Sequence, residues 1–259
     1  MDFQSRIRKE FARQAETLSV ATAFTDANVL DRIRAAIRPT QTMEILDVGC
    51  GPGILAAALA QEVREVAAFD LTPEMLAKAR QRCQEAGLQN VRFELGRAEA
   101  LPFSAESFDV VVTRATLHHF PDPHQVVREM VRVIRPHGKL VLADVVSSEN
   151  TEEAALHNAL EILRDPSHVR MLSVSEIQRL IDAAGLRATA TSTWEMPRGF
   201  EEWIRITNAP ERATPLFTIM LAMAKAGIHA GIDLGFNGRT VVFKHRWLLI
   251  TAETNPQEP

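Results

Sequence analysis

The sequence has 259 residues, of which 46% are hydrophobic and 24% charged, and its formal net charge is −4. This composition can bury one large core, and it excludes a disordered or collagen-like chain. The slight acidic balance makes nucleic acid a poor candidate partner. The chain has no tyrosine, so no phenolic side chain can act as an acid or a base.

Targeting and metal signals are weak throughout the chain. Residues 1–10 contain no apolar run, so we expect no signal peptide. No apolar run reaches the length of about 18 residues that a membrane-spanning helix needs. The two cysteines, Cys50 and Cys83, have neither disulfide-framework nor metal-ligand spacing. We therefore expect a cytoplasmic protein without a metal site that acts on a small molecule, and we leave a homodimer open.

The first 150 residues predict helices followed by a regular alternation of strands and helices. Two helices are predicted near the start, at 3–18 and 26–37. Short apolar runs predict strands at 44–48, 65–69, 91–95, 108–113 and 139–146, and amphipathic segments predict helices at 54–62, 73–87 and 123–134. This alternation favours right-handed βαβ units and a parallel sheet covered by helices on both faces.

The pattern loosens after residue 147. Further helices are predicted at 152–163 and 175–184, and two further strands at 187–194 and 240–251. The intervening segment 201–228 is mostly helical and apolar. We predict one α/β domain with helical additions at its start and in its second half.

A glycine-rich loop follows the first predicted strand. Gly49, Gly51 and Gly53 lie within five residues, so the backbone there can approach a ligand without a clash from Cβ. Asp70, at the end of the second strand, is placed to accept hydrogen bonds from ribose hydroxyls. Asp47 precedes the loop, where it would repel a pyrophosphate and favour a ligand that carries an amine. The pattern therefore argues against NAD.

The stretch 46–146 resembles class I S-adenosylmethionine-dependent methyltransferases, and is closest to the branch that includes ubiquinone and menaquinone C-methyltransferases. The matching segments are LDVGCGPG (46–53), FDLTPEMLAKAR (69–80), LGRAEALPF (95–103), SFDVVVTRATLHHFPDP (107–123) and EMVRVIRPHGKLVLAD (129–144). Segment 162–186 resembles bacterial small-molecule members of the family.

The resemblance implies a fold and a division of the chain. The fold would be a Rossmann-like sheet of seven strands, mostly parallel, with an antiparallel last strand and helices on both faces. Residues 1–40 would form a helical lid, and residues 41–150 the core that binds S-adenosylmethionine. Residues 151–259 would complete the sheet and add a helical insertion at the substrate pocket.

The resemblance also implies which residues hold the methionine and ribose parts of the cofactor. The loop residues would be Asp47, Gly49, Cys50, Gly51 and Gly53. Asp47 would lie near the ammonium group, and Asp70 would bind both ribose hydroxyls. Arg114 would lie where the cofactor carboxylate meets the substrate side.

For the adenine ring, the resemblance implies Leu71 and Met75 as flanking side chains and Ala98 as a backbone donor. The family usually has an aspartate where this chain has Arg97. Glu99 is the candidate to replace that acid.

Methyl transfer requires a positioned nucleophile, exclusion of water and, for a neutral acceptor, a base. Without tyrosine, histidines are the main candidates. His118 and His119 follow the fourth strand, and of these we favour His119. His168, in the polar segment 164–170, is the alternative base.

Candidate substrate contacts are Arg170, as a polar partner of His168, Phe24 from the predicted lid, and Phe217 from the apolar segment 216–228. The function we predict is methyl transfer to a small apolar or aromatic molecule at oxygen, carbon or nitrogen. Two alternatives remain: another reaction that uses S-adenosylmethionine on the same fold, and an NAD-binding oxidoreductase.

Overall fold

The computed structural model describes residues 3–254. Its strands are β1 (Glu44–Val48), β2 (Glu65–Asp70), β3 (Val91–Leu95), β4 (Phe108–Arg114), β5 (Ile134–Val146), β6 (Leu186–Gly199), β7 (Gly235–Phe236) and β8 (Val241–Thr254). Its α-helices are α1 (Phe3–Val20), α2 (Thr22–Thr25), α3 (Ala27–Ile37), α4 (Ile54–Ala60), α5 (Pro73–Glu85), α6 (Pro123–Arg132), α7 (Thr151–Arg164), α8 (Val174–Ala183), α9 (Phe200–Ile206) and α10 (Ala213–Lys225).

One mixed sheet organises these elements, in the strand order β3-β2-β1-β4-β5-β8-β6. Neighbouring strands from β3 to β5 are parallel, whereas β8 runs antiparallel to both β5 and β6. The predicted Rossmann-like sheet with an antiparallel last strand is therefore confirmed. The two-residue strand β7, which pairs with β8, is too short to leave an alternating pattern in the sequence.

Helices cover both faces of the sheet, as the central strand β4 shows. Val110 and Val112 pack into the cluster that lies under α3, α4 and α5. Val111, between them, packs on the opposite face with residues of α6 and α8. Since side chains of a strand alternate between faces, this continuous run of valines is fully buried.

Three strands, β5, β6 and β8, extend three or more residues beyond an end that the sequence predicts. Strand β5 begins at Ile134 because its first residues pair with β4 before a shift of register. Strands β6 and β8 pair with each other from Leu186↔Thr254 to Gly199↔Val242. Pro197 is tolerated in β6 because β6 is an edge strand. This extension carries Arg198 towards the site described below.

The segment predicted as mostly helical, 201–228, is helical but interrupted. Helix α9 ends at Ile206, Asn208 adopts a positive φ of 50°, and a short 3₁₀ turn precedes α10. Within residues 3–254, no helix combines the length and the apolar character needed to cross a bilayer.

Candidate active site

A pocket runs along the edge of the sheet where β1, β2, β4 and β5 have their carboxyl ends. Its cofactor half, as we call it, is formed by the loops after β1, β2 and β3. Its acceptor half is formed by α1, α2, the 3₁₀ turn Leu117–His119 after β4, the C-terminal end of α7 and the strands β6 and β8. Open α/β sheets bind ligands at this edge.

Two glycines of the loop after β1 serve different purposes. A Cβ on Gly49 would lie 2.4 Å from Cγ2 of Thr116, so this position has room only for hydrogen. A Cβ on Gly51 would meet no atom within 4 Å, because this residue faces the pocket. Both have a positive φ, of 69° and 53°. Gly51 is thus where a ligand can approach the backbone.

Asp70 shapes the loop as well as facing the pocket. Its Oδ2 accepts the backbone N–H of Gly51 at 2.8 Å, and its Oδ1 accepts that of Thr72 at 2.8 Å. Burial raises the pKa of Asp70, and these hydrogen bonds oppose the rise. Each carboxylate oxygen can accept a second hydrogen bond, so Asp70 can still bind a diol.

Asp47 is a buried acid of the cofactor half with one unpaired oxygen. It is 2% exposed, and its Oδ2 has no hydrogen-bond partner among the described residues. Burial raises its pKa to about 7, although the charge of Arg114 works against the rise. Arg114 lines the same half, and burial lowers its pKa to about 10. An unpaired buried carboxylate beside an arginine suits a ligand with both an ammonium and a carboxylate group.

The predicted adenine contacts also line the cofactor half. Leu71, Met75 and Ala98 are pocket residues. Arg97 and Glu99 line it too, with the Arg97 side chain 56% exposed and its Nε 3.8 Å from Oε2 of Glu99. Arg97 is therefore a solvated rim residue, and Glu99 is an acid of the pocket lining next to Ala98.

A histidine and an aspartate form a buried pair where the two halves meet. Nδ1 of His118 lies 2.6 Å from Oδ1 of Asp144, which is 2% exposed. Oδ2 of Asp144 accepts the backbone N–H groups of Thr116 and Leu117, at 3.1 and 2.8 Å. Burial disfavours a charged His118, but the charge and hydrogen bond of Asp144 outweigh it and raise the pKa of His118.

The other two histidines of this region are fixed differently. Nδ1 of His119 lies 3.0 Å from the carbonyl oxygen of Ser167, and burial lowers the pKa of His119 to about 4. His168 stacks on His118 with ring centroids 4.9 Å apart, and burial lowers its pKa as well. His118 is therefore the histidine of the three whose surroundings favour accepting a proton near neutral pH.

Helix α1 and the following turn close the pocket. Nε2 of Gln14 donates to Oδ2 of Asp165 at 2.8 Å, which ties α1 to the segment after α7. The ring of Phe11 packs edge-on against that of His119, with the ring centroids 4.7 Å apart. The carbonyl oxygen of Phe24 accepts a hydrogen bond from Arg114 at 2.9 Å. The N-terminal segment thus covers both halves of the pocket.

Apolar side chains make up most of the acceptor half, and charged groups are concentrated at its far end. The apolar residues are Ile7, Phe11, Leu18, Ala23, Phe24, Val145, Met171, Ile206 and Trp247. At the far end, Glu161 is 2% exposed and accepts a hydrogen bond from Nε1 of Trp203 at 3.1 Å. Its Oε2 lies 3.1 Å from Nε of Arg164, and burial works against its charge, but Arg164 and two histidines hold its pKa well below the usual range.

Four residues named from the sequence do not line the pocket. Gly53 packs against α5, where a Cβ would lie 2.6 Å from that of Ala79. His168 lies behind His118. Arg170 is exposed and paired with Glu176, and Phe217 packs against Phe200 in a separate cluster. Arg170 and Phe217 are therefore not placed to contact a substrate in this pocket.

Sequence reasoning missed the residues of the site that come from distant strands. Asp144 lies near the end of β5, next to Ala143, which pairs with Arg114 of β4. The parallel pairing of those strands predicts that Asp144 reaches the same edge. Arg198 and His245, from β6 and β8, had no local motif. Only the pairing of those two strands brings them to Glu161.

Sequence comparison identifies relatives along nearly the whole chain. The family described as a methyltransferase domain matches residues 39–191. Over 242 residues, the chain is 34% identical to the uncharacterized methyltransferase YcgJ of Bacillus subtilis (strain 168), covering 93% of this chain and 96% of that one. A shorter match, 36% identical over 115 residues, is to a ubiquinone biosynthesis O-methyltransferase of Xanthomonas axonopodis pv. citri (strain 306), covering 44% of this chain and 47% of that one.

Solved structures agree with the sequence matches. The crystal structure of YcgJ superposes with a TM-score of 0.83 at 31% identity, covering 88% of this chain and 99% of that one. A putative methyltransferase from Bacillus halodurans C-125 superposes with a TM-score of 0.83 at 29% identity, covering 89% of this chain and all of that one (100%).

Proposed function

The chain belongs to the class I S-adenosylmethionine-dependent methyltransferases, and on that premise we propose that it methylates a hydroxyl group of a small, mainly apolar molecule. One observation carries the proposal. His118, which is paired with the buried Asp144, lines a mainly apolar pocket beside the glycine loop. A small molecule with a proton to lose upon methylation suits this arrangement.

S-adenosylmethionine fits the cofactor half by the charged groups that line it. Oδ2 of Asp47 is buried without a hydrogen bond in the described part of the chain, and it would accept the ammonium group. Arg114 would hold the carboxylate, and Asp70 would hold the ribose hydroxyls. When bound, the cofactor supplies a methyl group on a positively charged sulfur, which a nucleophile takes in one displacement.

His118 acts as the base in this proposal. Its Nδ1 donates to Asp144, so Nε2 carries the free lone pair, and no hydrogen bond to Nε2 is present among the described residues. Nε2 would remove the proton of the acceptor hydroxyl as the methyl group is transferred. Asp144 is a positioning residue, since it fixes the ring and stabilises the positive charge that forms on it.

Helix α1 and the apolar wall supply the remaining requirement, the exclusion of water. The tie between Gln14 and Asp165 holds α1 over the acceptor half. A closed, poorly hydrated pocket strengthens the interaction between the His118–Asp144 pair and the acceptor. Its mainly apolar lining favours a small molecule over a protein or a nucleic acid.

The acceptor panel follows from the same features. Phenols, catechols and quinols combine an apolar ring with an acidic hydroxyl. The likeness to ubiquinone and menaquinone C-methyltransferases stays part of the proposal, and the short match to a ubiquinone biosynthesis O-methyltransferase supports a quinol as the acceptor. A carbon or nitrogen acceptor would use the same base, and product analysis separates these outcomes.

The test is to incubate the protein with S-adenosylmethionine and each candidate acceptor, and to measure S-adenosylhomocysteine and methylated products by mass spectrometry. We expect stoichiometric formation of both with at least one hydroxylated aromatic compound. His118→Asn should abolish turnover, whereas His137→Asn, at an exposed turn of β5, should not affect it. Cofactor binding without S-adenosylhomocysteine formation, as another reaction on this fold would give, contradicts the proposal, as does methylation that is insensitive to His118→Asn.

A further inference from the structure

Three buried side chains with metal-binding atoms meet at the far end of the acceptor half. His157 and Glu161 lie one turn apart on α7, and His245 comes from β8. Their exposed fractions are 1%, 2% and 4%. One ligand atom from each lies within 4.8 Å of the others. Because His245 is 84 residues from Glu161, no local sequence motif predicts this cluster.

His157 is the anomaly of the cluster. Neither of its ring nitrogens has a hydrogen-bond partner among the described residues, although the side chain is almost completely buried. A buried polar group without a partner costs about 1–3 kcal/mol, so most such groups in proteins have a partner or bind a ligand. Its Nε2 is directed at Glu161, 3.8 Å from Oε1.

The separations in the cluster match those around a tetrahedral metal ion. Zinc binds imidazole nitrogen and carboxylate oxygen at about 2.0–2.2 Å, which places neighbouring ligand atoms about 3.3 Å apart. Nε2 of His245 lies 3.0 Å from Oε1 of Glu161, and Nε2 of His157 lies 3.8 Å from it. These two distances bracket the expected value, and the ligand nitrogens of the two histidines lie within 4.8 Å of each other. Side-chain rotations that bring the two imidazoles together would complete the tetrahedral spacing.

We propose that His157, Glu161 and His245 bind one divalent transition-metal ion of the zinc or cobalt type. Glu161 and His245 also line the pocket. A fourth ligand, a water molecule or an oxygen atom of the acceptor, would therefore come from the acceptor half. Two histidines and a glutamate with one open position are a frequent ligand set for a reactive zinc ion.

The neighbours of Glu161 decide which class of metal fits. Nε of Arg164 lies 3.1 Å from Oε2, and Nε1 of Trp203 donates to Oε1, so the carboxylate is held in place by outer partners. Mg²⁺ and Ca²⁺ need several oxygen ligands, whereas this cluster offers a single carboxylate. Two imidazoles favour a softer ion. His245 would exchange its hydrogen bond to Glu161 for the metal by carrying its proton on Nδ1.

The experiment measures metal binding without cofactor or acceptor, so its result is independent of the proposed methyl transfer. Full-length protein is treated with a chelator, desalted and titrated with Zn²⁺ by calorimetry and with Co²⁺ by visible absorption. We expect one ion per chain and the intense bands of tetrahedral Co²⁺. Glu161→Gln and His157→Leu should each weaken Zn²⁺ binding by about 100-fold or more.

Two controls and one second readout keep the test decisive. His137→Leu removes an exposed histidine, and His118→Asn alters the other histidine cluster; both should bind Zn²⁺ as the wild type does. His157→Leu replaces an unpaired buried ring with an apolar side chain, so its metal-free melting temperature should equal or exceed that of the wild type. The proposal would be overturned if the wild type did not bind one Zn²⁺ per chain, or if Glu161→Gln and His157→Leu bound Zn²⁺ as tightly as the wild type. Loss of Zn²⁺ binding in His118→Asn would overturn it as well.

Discussion

The two halves of the pocket are built in opposite ways. The cofactor half takes its key groups from short segments at the ends of consecutive strands, with Asp47 to Gly51 at the end of β1 and Asp70 at the end of β2. The acceptor half draws on α1, α7, β6 and β8, which are spread from the first helix to the last strand of the described chain. The cofactor, which the family shares, is thus bound by residues close together in sequence. The acceptor is bound by residues that are far apart in sequence and can change without altering the cofactor half.

Asp144→Asn should produce the largest effect. It should lower turnover, which depends on the acceptor half, and leave cofactor binding nearly unchanged. The change keeps the side-chain shape but removes the charge that stabilises a protonated His118. We expect turnover to fall by about 1,000-fold, while cofactor affinity stays within a few-fold of the wild type. Single-turnover methylation and calorimetry measure the two quantities.

A pH profile distinguishes positioning from simple damage in that variant. The reaction needs neutral His118, so the wild-type rate should rise with pH through the raised pKa of His118. Without the carboxylate this pKa falls, and the rise should move to lower pH. Asp182→Asn, on the exposed face of α8, is the matched control. An unchanged profile with full turnover would remove the His118–Asp144 pair from the mechanism.

Two alanine substitutions test whether the cofactor half separates folding from binding within one loop. Gly49→Ala places Cβ 2.4 Å from Thr116 at a positive φ, and should lower the free energy of unfolding by about 3 kcal/mol. Gly51→Ala adds a methyl group that meets no protein atom, so only backbone strain of about 1 kcal/mol is expected.

Gly49→Ala should lose more stability than Gly51→Ala, whereas Gly51→Ala should lose more affinity for the cofactor. The methyl group of Gly51→Ala projects towards the pocket and should weaken cofactor binding even where the protein is fully folded. Denaturant unfolding and calorimetry measure both properties. Equal effects of the two substitutions on both properties would show that Gly51 does not face the bound cofactor.

Asp47→Asn should have the smallest effect, of about tenfold on cofactor affinity above pH 7, from the loss of one charged hydrogen bond. Because the pKa of Asp47 is raised to about 7, the carboxyl group of the free wild type becomes protonated as the pH falls below that value. Wild-type affinity for S-adenosylmethionine should therefore decline as the pH falls from about 7 to about 5.5, whereas that of the variant should not.

The effect of Asp47 on stability should change with pH in the opposite direction to its effect on cofactor affinity. The folded state holds the proton more tightly than the unfolded state, whose pKa is near 3.8. Asp47 therefore contributes stability that is lost as the pH rises from about 4 to about 7, and Asp47→Asn lacks this contribution, so the stability difference between the two proteins should change over that range. Thermal melting across this range checks the difference. A wild-type protein whose ligand affinity and melting temperature are both independent of pH would show that Asp47 is ionised throughout.

Local determinants explain why most of the fold and the cofactor half are predictable from sequence. The alternation of strands and helices, the glycines after β1 and the acid that ends β2 all lie within one βαβ unit. The placement of Met75 and Ala98 beside the pocket follows from the same unit and its successor.

The acceptor half resists sequence reasoning because its residues meet through strand pairing. His119 looked like the better base from its position alone, and the partner that distinguishes His118 lies 26 residues further on, at Asp144. Phe217 belongs to an apolar run, and periodicity does not tell which cluster such a run covers. Arg198 lies beyond the predicted end of its strand, which only the register with β8 extends.

Strand β8 has a consequence for how the protein matures during synthesis. It is the last strand of the described chain, yet it lies between β5 and β6 and pairs with both. Strands β1 to β5 can associate as they leave the ribosome, but β6 has no partner in the sheet until β8 arrives. A nascent chain can thus form its cofactor half first, while β6 and the apolar residues of the acceptor half stay exposed to aggregation and to chaperones until β8 has been synthesised.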